Sequence, residues 1–397
     1  MKIFFLTLAY PLDISDNNIY SDLFDEIAER GHEVIVFRPD ESRSYGKPKE
    51  LFRNKVKTIS IPTGKITKAG KFIKAINTLL IERRYKKAVV QYIDPKPDLV
   101  VYSTPPITFV KVIEYLKHVT CCSTYLLLKD IFPQNAVDLG MIRQDSIVHR
   151  YFRKKEKKLY AISDRIGCMS PANVEYFLKH NPEIKTSKVH VNPNSIRPTP
   201  TADLPCFDNA ILERYGIPKD KFRLVYGGNL GKPQGIDFLL DSINSLHAIP
   251  DVHLTIIGDG TEYGRVKKII EENNIKNITL LKFLSKQEYI AILACMDVGL
   301  IFLDHRFTIP NIPSRILDYL DVGLPVITAT DQASDIGKII YKNGAGISCV
   351  SDNVKDFISS ILVLKNDSDL RSLLSKGARE LLVNNYEVKY SADKILK

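Results

Sequence analysis

The stretch TIPNIPSRILDYLDVGLPVITAT at 308–330, with VGLIFL at 298–303 before it, decides the fold class of this chain. VGLIFL is short, apolar and uncharged, which is typical of a buried parallel strand. A loop follows, and then a helix with Pro313 near its first position, where a proline loses no hydrogen bond. Gly323 ends that helix, and Val326–Thr330 forms the next strand. The pattern predicts strand, loop, helix and strand, the repeating unit of a parallel α/β sheet.

The start of this helix is a candidate anion site. Ligands of open parallel sheets lie at the carboxyl ends of strands, and a helix N-terminus there attracts phosphate. The pattern places Arg315 in the first turn and Asp318 about one turn deeper. A cation beside exposed amides, with a carboxylate further along, suits a diphosphate that carries a ribose. An ordinary strand–helix–strand unit with a surface Arg and Asp explains the same spacing.

A second motif, GGNLGKPQGID at 227–237, follows a predicted strand at 223–226. Gly227, Gly228 and Gly231 permit close approach of the backbone to a phosphate. A glycine loop alone is weak support for a phosphate site. Its position after a strand, in the same chain as the 308–330 stretch, makes the two motifs stronger together.

Both motifs resemble those of family-four glycosyltransferases, in particular a bacterial surface-polysaccharide subgroup that includes N-acetylfucosamine transferases. The form PS[KR]xx[ED]Yxx[AV]G[KL]PV recurs in that subgroup. Of the two acidic positions usual in the family, the second is Asp318 and the first is Pro310, which carries no carboxylate. Where the family often has an Arg and a Lys in the glycine loop, this chain has Asn229 and Gln234.

The resemblance implies an α/β protein with two Rossmann-like domains facing a cleft, the GT-B fold. A C-terminal helix is expected to cross back to the first domain. The expected segments are an acceptor-binding domain at 1–198, a linker and entry helix at 199–222, a donor-binding domain at 223–380, and the returning helix at 381–397.

The resemblance also implies a set of site residues. The expected donor-binding residues are Gly228, Asn229, Gly231, Lys232, Phe283, Asn311, Ser314, Arg315 and Asp318. The expected catalytic residues are Asp130, Arg315 and Lys232. Asp130 follows a predicted strand at 124–128, where its carboxylate either orients a sugar hydroxyl or caps the following turn. No metal site is expected, because the six cysteines form no CxxC pair and no His-rich cluster accompanies them.

The charge is uneven along the chain. Residues 1–200 hold 33 Lys and Arg against 21 Asp and Glu, or +12, whereas the remainder holds 23 against 25, or −2. Two basic helices are predicted in the first half, one at about 69–93 with Phe72, Ile73, Ile76, Leu79 and Leu80 on one side, and one at 147–160. Nucleic acid is not expected, because no nucleic-acid-binding motif accompanies them. An anionic membrane surface fits these helices better, although solvated helix faces explain either one alone.

The sequence therefore predicts a cytoplasmic glycosyltransferase, peripheral on the inner face of the plasma membrane. Its expected reaction is metal-independent transfer of a hexose or N-acetylaminosugar from a nucleoside-diphosphate sugar, most simply UDP-linked, to a lipid-linked or polysaccharide precursor with retention. A nucleotide-sugar 2-epimerase of the same fold and a non-catalytic partner subunit of a glycosyltransferase are the alternatives. No run of about eighteen uncharged apolar residues predicts a membrane span.

Overall fold

The computed structural model describes residues 1–14, 16–66 and 71–397, with only the backbone described for 71–79. The chain forms two compact units, one of Met1–Ile196 with Val388–Lys397 and the other of Arg197–Glu387. The segment 199–222, expected as a linker and entry helix, lies inside the second unit. The Thr199 amide and hydroxyl donate to the Asp321 carboxylate at 2.9 and 2.7 Å, which anchors the start of that segment.

The sheet of the first unit has the strand order β3-β4-β2-β1-β5-β6-β7-β8 within the described residues. Its neighbouring strands run parallel except β3, which pairs antiparallel with β4 at the sheet edge. The strands are β1 Lys2–Leu6, β2 Glu33–Asp40, β3 Lys49–Arg53, β4 Val56–Pro62, β5 Leu99–Ser103, β6 Ser123–Leu128, β7 Arg165–Cys168 and β8 Val189–Val191.

Helices cover both faces of this sheet, as a parallel sheet requires. They are α1 Ile19–Glu29, α2 Lys71–Val89, α3 Val110–Thr120, α4 Gln134–Asp138, α5 Ile147–Ile162 and α6 Pro171–His180. Asn18 caps α1 by accepting from the Ser21 amide at 3.0 Å, and Ser146 caps α5 by accepting from the His149 amide at 3.2 Å. Of the apolar face expected on the first basic helix, Phe72, Ile73, Ile76 and Leu79 lie outside the described side chains, and Leu80 is 37% exposed.

The predicted return of the C-terminal helix to the first domain is confirmed. This last helix, here named α15, spans Val388–Leu396, since residues 381–385 still belong to the preceding helix. Val388, Ala392 and Ile395 join the core formed by β1 and α1. The guanidinium of Arg30 on α1 pairs with Asp393 at 2.5 Å.

The second unit has the order β11-β10-β9-β12-β13-β14, with all neighbours parallel. Its strands are β9 Phe222–Gly227, β10 Val252–Ile257, β11 Ile278–Leu281, β12 Val298–Phe302, β13 Val326–Thr330 and β14 Gly346–Val350. Its helices are α7 Asn209–Arg214, α8 Ile236–His247, α9 Tyr263–Glu272, α10 Lys286–Leu293, α11 Ile316–Asp321, α12 Ile336–Lys342, α13 Val354–Asn366 and α14 Ser368–Asn385. The prediction of two Rossmann-like domains is confirmed.

Candidate functional site

Two loops meet where the strand order of the second unit reverses. One loop, Gly228–Gln234, follows β9, and the other, Leu303–Arg315, follows the neighbouring strand β12. The Asp304 amide donates to the Pro233 carbonyl at 3.2 Å, so the loops are in direct contact. Reversal points at the carboxyl edge of an open parallel sheet are where ligands bind. The two sequence motifs are thus neighbours in space.

Backbone contacts fix the glycine loop. The Gly228 amide donates to the Ile257 carbonyl at 2.8 Å, and Gly228 has φ +124°, a region that favours glycine. A β-carbon at Gly258 would lie 1.8 Å from the Gly228 carbonyl oxygen, so the two turns pack too closely for a side chain there. A β-carbon at Gly231 would lie 2.6 Å from Nδ2 of Asn229. The room that these two glycines leave is taken by the protein itself.

Arg315 lies against this loop with part of its charge unsatisfied. Its Cζ is 4.5 Å from the centre of the Tyr226 ring and would be 3.1 Å from a β-carbon at Gly228. Its Nη1 is buried and has no hydrogen-bond partner among the described residues. Buried polar groups in folded proteins almost always have partners. An anion beside Gly228 would supply the one that Arg315 lacks.

The helix after this loop starts later than predicted. It begins at Ile316 with Arg315 as its N-cap, so the predictions that Pro313 opens the helix and that Arg315 lies in its first turn are wrong. The Ile316 and Leu317 amides donate to the Pro313 and Ser314 carbonyls at 3.3 and 3.1 Å, so a tighter turn with bonds between residues three apart precedes the helix. Gly323 follows the helix with φ +66°, as a helix-ending glycine does.

Asn229 and Gln234 occupy the two positions where the family that this chain resembles often has basic residues. Here their side chains form a hydrogen bond with each other. Nδ2 of Asn229 donates to Oε1 of Gln234 at 2.9 Å. Lys232, between them, is exposed, and within the described chain its ammonium group has no hydrogen-bond or ion-pair partner. The exposed charge in this loop is therefore that of Lys232, and the buried charge against it is that of Arg315.

Asp318 has a partner that the sequence did not reveal. Its Oδ1 pairs with Nζ of Lys286 at 2.5 Å. Burial raises the pKa of Asp318, and the Lys286 charge opposes that rise. Lys286 begins α10 directly after Ser285, which forms a capping box with Glu288. The Ser-x-x-Glu spacing after β11 was the available signal that a helix starts at this sheet edge.

The other predicted donor-site residues lie in different surroundings. The Asn311 amide donates to Oγ of Ser334 at 2.9 Å, which joins the loop after β12 to the loop after β13. Ser314 is exposed, and the Phe283 side chain is 64% exposed. Phe283 is therefore not packed in a core.

Asp130, in the first unit, follows β6 at the carboxyl edge of the sheet. Its amide donates to Oγ1 of Thr104 at 3.0 Å, and its Oδ1 accepts from Nδ2 of Asn135 at 2.7 Å. Burial raises the pKa of Asp130 to about 6. The neighbouring Lys129 was not singled out from the sequence. Burial lowers its pKa to about 7, and its Nζ donates to the Asn192 carbonyl at 3.3 Å.

Two features are absent from the described residues. No cluster of three or more His, Cys, Asp or Glu side chains suited to a metal ion occurs in that part of the chain. No described helix is long and apolar enough to cross a membrane.

Residues 208–381 match the family Glycosyl transferases group 1. The match covers most of the second unit. The probable glycosyltransferase WbjE of Pseudomonas aeruginosa is 26% identical over 306 residues, 75% of this chain and 73% of its own. The putative colanic acid biosynthesis glycosyl transferase WcaI of Escherichia coli K12 is 21% identical over 131 residues, 33% of this chain and 32% of its own.

The crystal structure of Anabaena HepE in complex with UDP has the same fold over both units. It superposes with a TM-score of 0.68 and 15% identity, covering 100% of this chain and 98% of HepE. This likeness shows the GT-B fold, and the family match within the second unit supports the glycosyltransferase class. The predicted fold class and enzyme class are confirmed at that level.

Proposed function

We propose that the chain transfers a sugar from a UDP-linked donor to a lipid-linked or polysaccharide precursor, with retention of configuration. The observation that carries the donor part is the buried Nη1 of Arg315, which lacks a partner beside Gly228. A diphosphate is the anion that a nucleotide-sugar enzyme needs at the edge of such a sheet. HepE, of the same fold, is known with both UDP and UDP-glucose.

The proposed chemistry is stabilisation of the leaving diphosphate. The bond from the anomeric carbon to the phosphate oxygen breaks, and a bond to the acceptor oxygen forms on the same face of the sugar. Asp130 takes up the proton of the acceptor hydroxyl and returns it to water after the transfer, and the diphosphate departs with the electron pair of the broken bond. Arg315 and Lys232 offset the charge that develops on the diphosphate, without a metal ion. Asp318 accepts hydrogen bonds from the ribose while Lys286 maintains its negative charge.

We assign Asp130 to the acceptor. Its carboxyl is held by the Asn135 side-chain amide and the Ile131 backbone amide, and no cation among the described residues contacts it. Its pKa of about 6 lets it exchange a proton near neutral pH. Polysaccharide biosynthesis as the setting rests on WcaI, named for colanic acid. The hexose or N-acetylaminosugar that is moved follows from the resemblance alone.

The test is transfer or hydrolysis of UDP-sugars by the purified chain in excess chelator, with product configuration read from NMR coupling constants. Retained configuration and activity without metal are expected. An inverted product would contradict the proposal. Isomerised nucleotide-sugar with no transfer would favour the epimerase, and UDP-sugar binding with no turnover would favour the non-catalytic partner subunit.

We further propose that the first unit rests on an anionic membrane through one face of α5 and the turn before it. Four apolar side chains are exposed there: Met141, Ile147, Val148 and Tyr151. Arg143, Arg150 and Lys154 are exposed beside them, and no ion pair engages these three in the described chain. Exposed apolar groups next to unpaired basic ones suit an interface of anionic headgroups and acyl chains.

The remaining charges of α5 are already paired within the protein. Arg153 pairs with Glu156, Lys157 with Glu183 at 3.2 Å, and Lys158 with Glu114 at 2.8 Å. Lys155 has Glu82 at 3.9 Å. The number of basic residues in this helix therefore overstates the charge that is available to lipid.

Flotation with vesicles tests this surface. Changing Arg143, Arg150 and Lys154 to Gln should release the protein from anionic vesicles, since each cation near such a surface contributes about 1 kcal/mol. Changing Lys157 and Lys158 to Gln is the matched control and should have a smaller effect. Equal binding to neutral vesicles, or equal loss in both variants, would contradict the proposed surface.

A further inference from the structure

A cavity of about 60 Å³ lies in the first unit, between the chain that follows Asp130 and the helices α5 and α6. By this measure a water needs about 10–15 Å³, so about four to six waters would fill it. That is room for one sugar ring or part of one, not for an oligosaccharide. Ile131 and Pro133 form one wall, and His149 and His180 are among the residues of the others.

The cavity has a rigid polar floor. Arg153 donates from Nη1 to Glu156 and from Nη2 to Oδ1 of Asn181 at 2.9 Å. Oε1 of Glu156 accepts from the Tyr160 hydroxyl at 2.6 Å. The Glu156 side chain is 2% exposed, so this carboxylate is buried with its partners in place. Such a network holds its groups in one arrangement before any ligand arrives.

The walls carry polar atoms without partners. Nδ1 of His149 accepts a hydrogen bond from the Asp145 amide, and Nδ1 of His180 contacts the Tyr176 carbonyl at 2.8 Å. Within the described chain, Nε2 of each histidine has no hydrogen-bond partner. The amide nitrogen of Gln134 donates to Asp138 at 2.8 Å, and its Oε1 has no partner among the same residues.

Aromatic faces accompany these atoms. The rings of Tyr176 and His180 stack with their centres 4.0 Å apart. A pyranose offers hydroxyl groups around its rim and apolar C–H groups on its face. The free imidazole nitrogens and the amide oxygen can form hydrogen bonds with the hydroxyl groups, and the stacked rings can pack against the C–H face. An anion fits less well, because Glu156 already neutralises Arg153 and adds its own buried negative charge.

We infer that this cavity is a subsite for one neutral pyranose unit of the acceptor, adjacent to the hydroxyl that Asp130 receives. The inference rests on the proposed transferase function and adds the substrate class recognised by the first unit. Asp130 directly precedes Ile131 of the cavity wall. Burial raises the pKa of Glu156, and the nearby negative charge of Asp130 adds to that rise. The alternative is that the Arg153–Glu156 network only joins α5 to α6.

The test is a titration of the full chain with methyl glycosides of the common hexoses and N-acetylhexosamines, followed by imidazole NMR signals. At least one glycoside should shift the signals of His149 and His180 together. His180→Ala should weaken that glycoside about three- to tenfold, the cost of one hydrogen bond. His118→Ala, exposed on α3, is the control and should leave the affinity unchanged.

The outcomes of this titration decide the inference. Absence of any shift with every glycoside would overturn it and leave the network as a helix joint. A shift with inorganic phosphate alone would overturn it in favour of an anion site. UDP binding, measured by calorimetry on the same sample, reports the donor function separately. UDP binding without a glycoside response would overturn the subsite alone, whereas a glycoside response without UDP binding would support the subsite and count against the donor site.

Discussion

Asp318 and Asp130 are carboxylates at the carboxyl edges of two parallel sheets, yet they have different partners. Asp318 has the ammonium group of Lys286 at 2.5 Å, whereas Asp130 has neutral partners, among them the side-chain amide of Asn135 at 2.7 Å. Burial raises the pKa of both. A nearby cation opposes this rise in pKa, and a neutral amide opposes it less strongly. The two therefore suit different tasks: a charged contact to ribose for Asp318, and proton exchange near neutral pH for Asp130.

The largest expected effect comes from Asp130. Asp130→Asn should lower kcat about 100-fold, the lower end of what general acid–base groups contribute, while the donor KM changes little. Initial rates against UDP-sugar and acceptor concentrations measure both constants. Asp94→Asn, an exposed position in the same unit, should leave both unchanged. A donor KM that rises as steeply as kcat falls would place Asp130 with the donor and remove the contrast with Asp318.

The next effect is on stability, through the partner of Asp318. Lys286→Met leaves a largely buried carboxylate without its cation, which should lower the free energy of unfolding by about 2 kcal/mol. This cost is smaller than for a fully buried ion pair, because both side chains are partly exposed. Urea unfolding measures this cost. In the double variant Lys286→Met/Asp318→Asn most of the loss should return, because no charge is left unpaired. Equal stability of Lys286→Met and the wild type would mean that the pair is not formed in solution.

A smaller effect should appear in the pH dependence of stability. The pKa of Asp130 is about 6 in the folded chain and about 3.9 when unfolded, so the folded state binds this proton more tightly. Stability from protonated Asp130 is therefore present at about pH 4 and is lost as pH rises through 6. Relative to Asp130→Asn, the wild type should lose about 1–2 kcal/mol over this range, allowing for its partial exposure.

Urea midpoints of the two proteins at the ends of that range measure the difference. Because the substitution leaves every other titrating group in place, their contributions cancel in the comparison. Parallel stability curves for wild type and variant would mean that Asp130 is not buried as the structure has it.

The fold could be predicted because its signals are local. Apolar runs such as Val298–Phe302 mark buried strands, and Gly323 marks the end of a helix at its own position. The start of α11 could not be placed as well, since Pro313 suits both a first helical turn and the extended chain before one. The β3–β4 pair was missed because its exposed, charged first strand lacks an apolar run.

The site could be predicted only as far as chain neighbours reveal it. Sequence motifs brought Gly228 and Arg315 to the same sheet edge. They gave no indication of Lys286 beside Asp318, because the two residues are distant in the chain and the pairing depends on the fold. The basic helix α5 shows the same limit: the glutamates that pair with Lys157 and Lys158 come from other segments. Composition counts charges, whereas the fold decides which of them stay free.

The most direct test of the central claim is calorimetric titration of UDP into the wild type and Arg315→Ala. The claim is that Arg315 contributes its unpartnered donor to the diphosphate. Loss of a charged hydrogen bond should weaken UDP binding by about 10- to 100-fold. Arg214→Ala, at an arginine whose side chain is 67% exposed on the same unit, should bind UDP as the wild type does. Undiminished UDP affinity in a folded Arg315→Ala protein would contradict the claim.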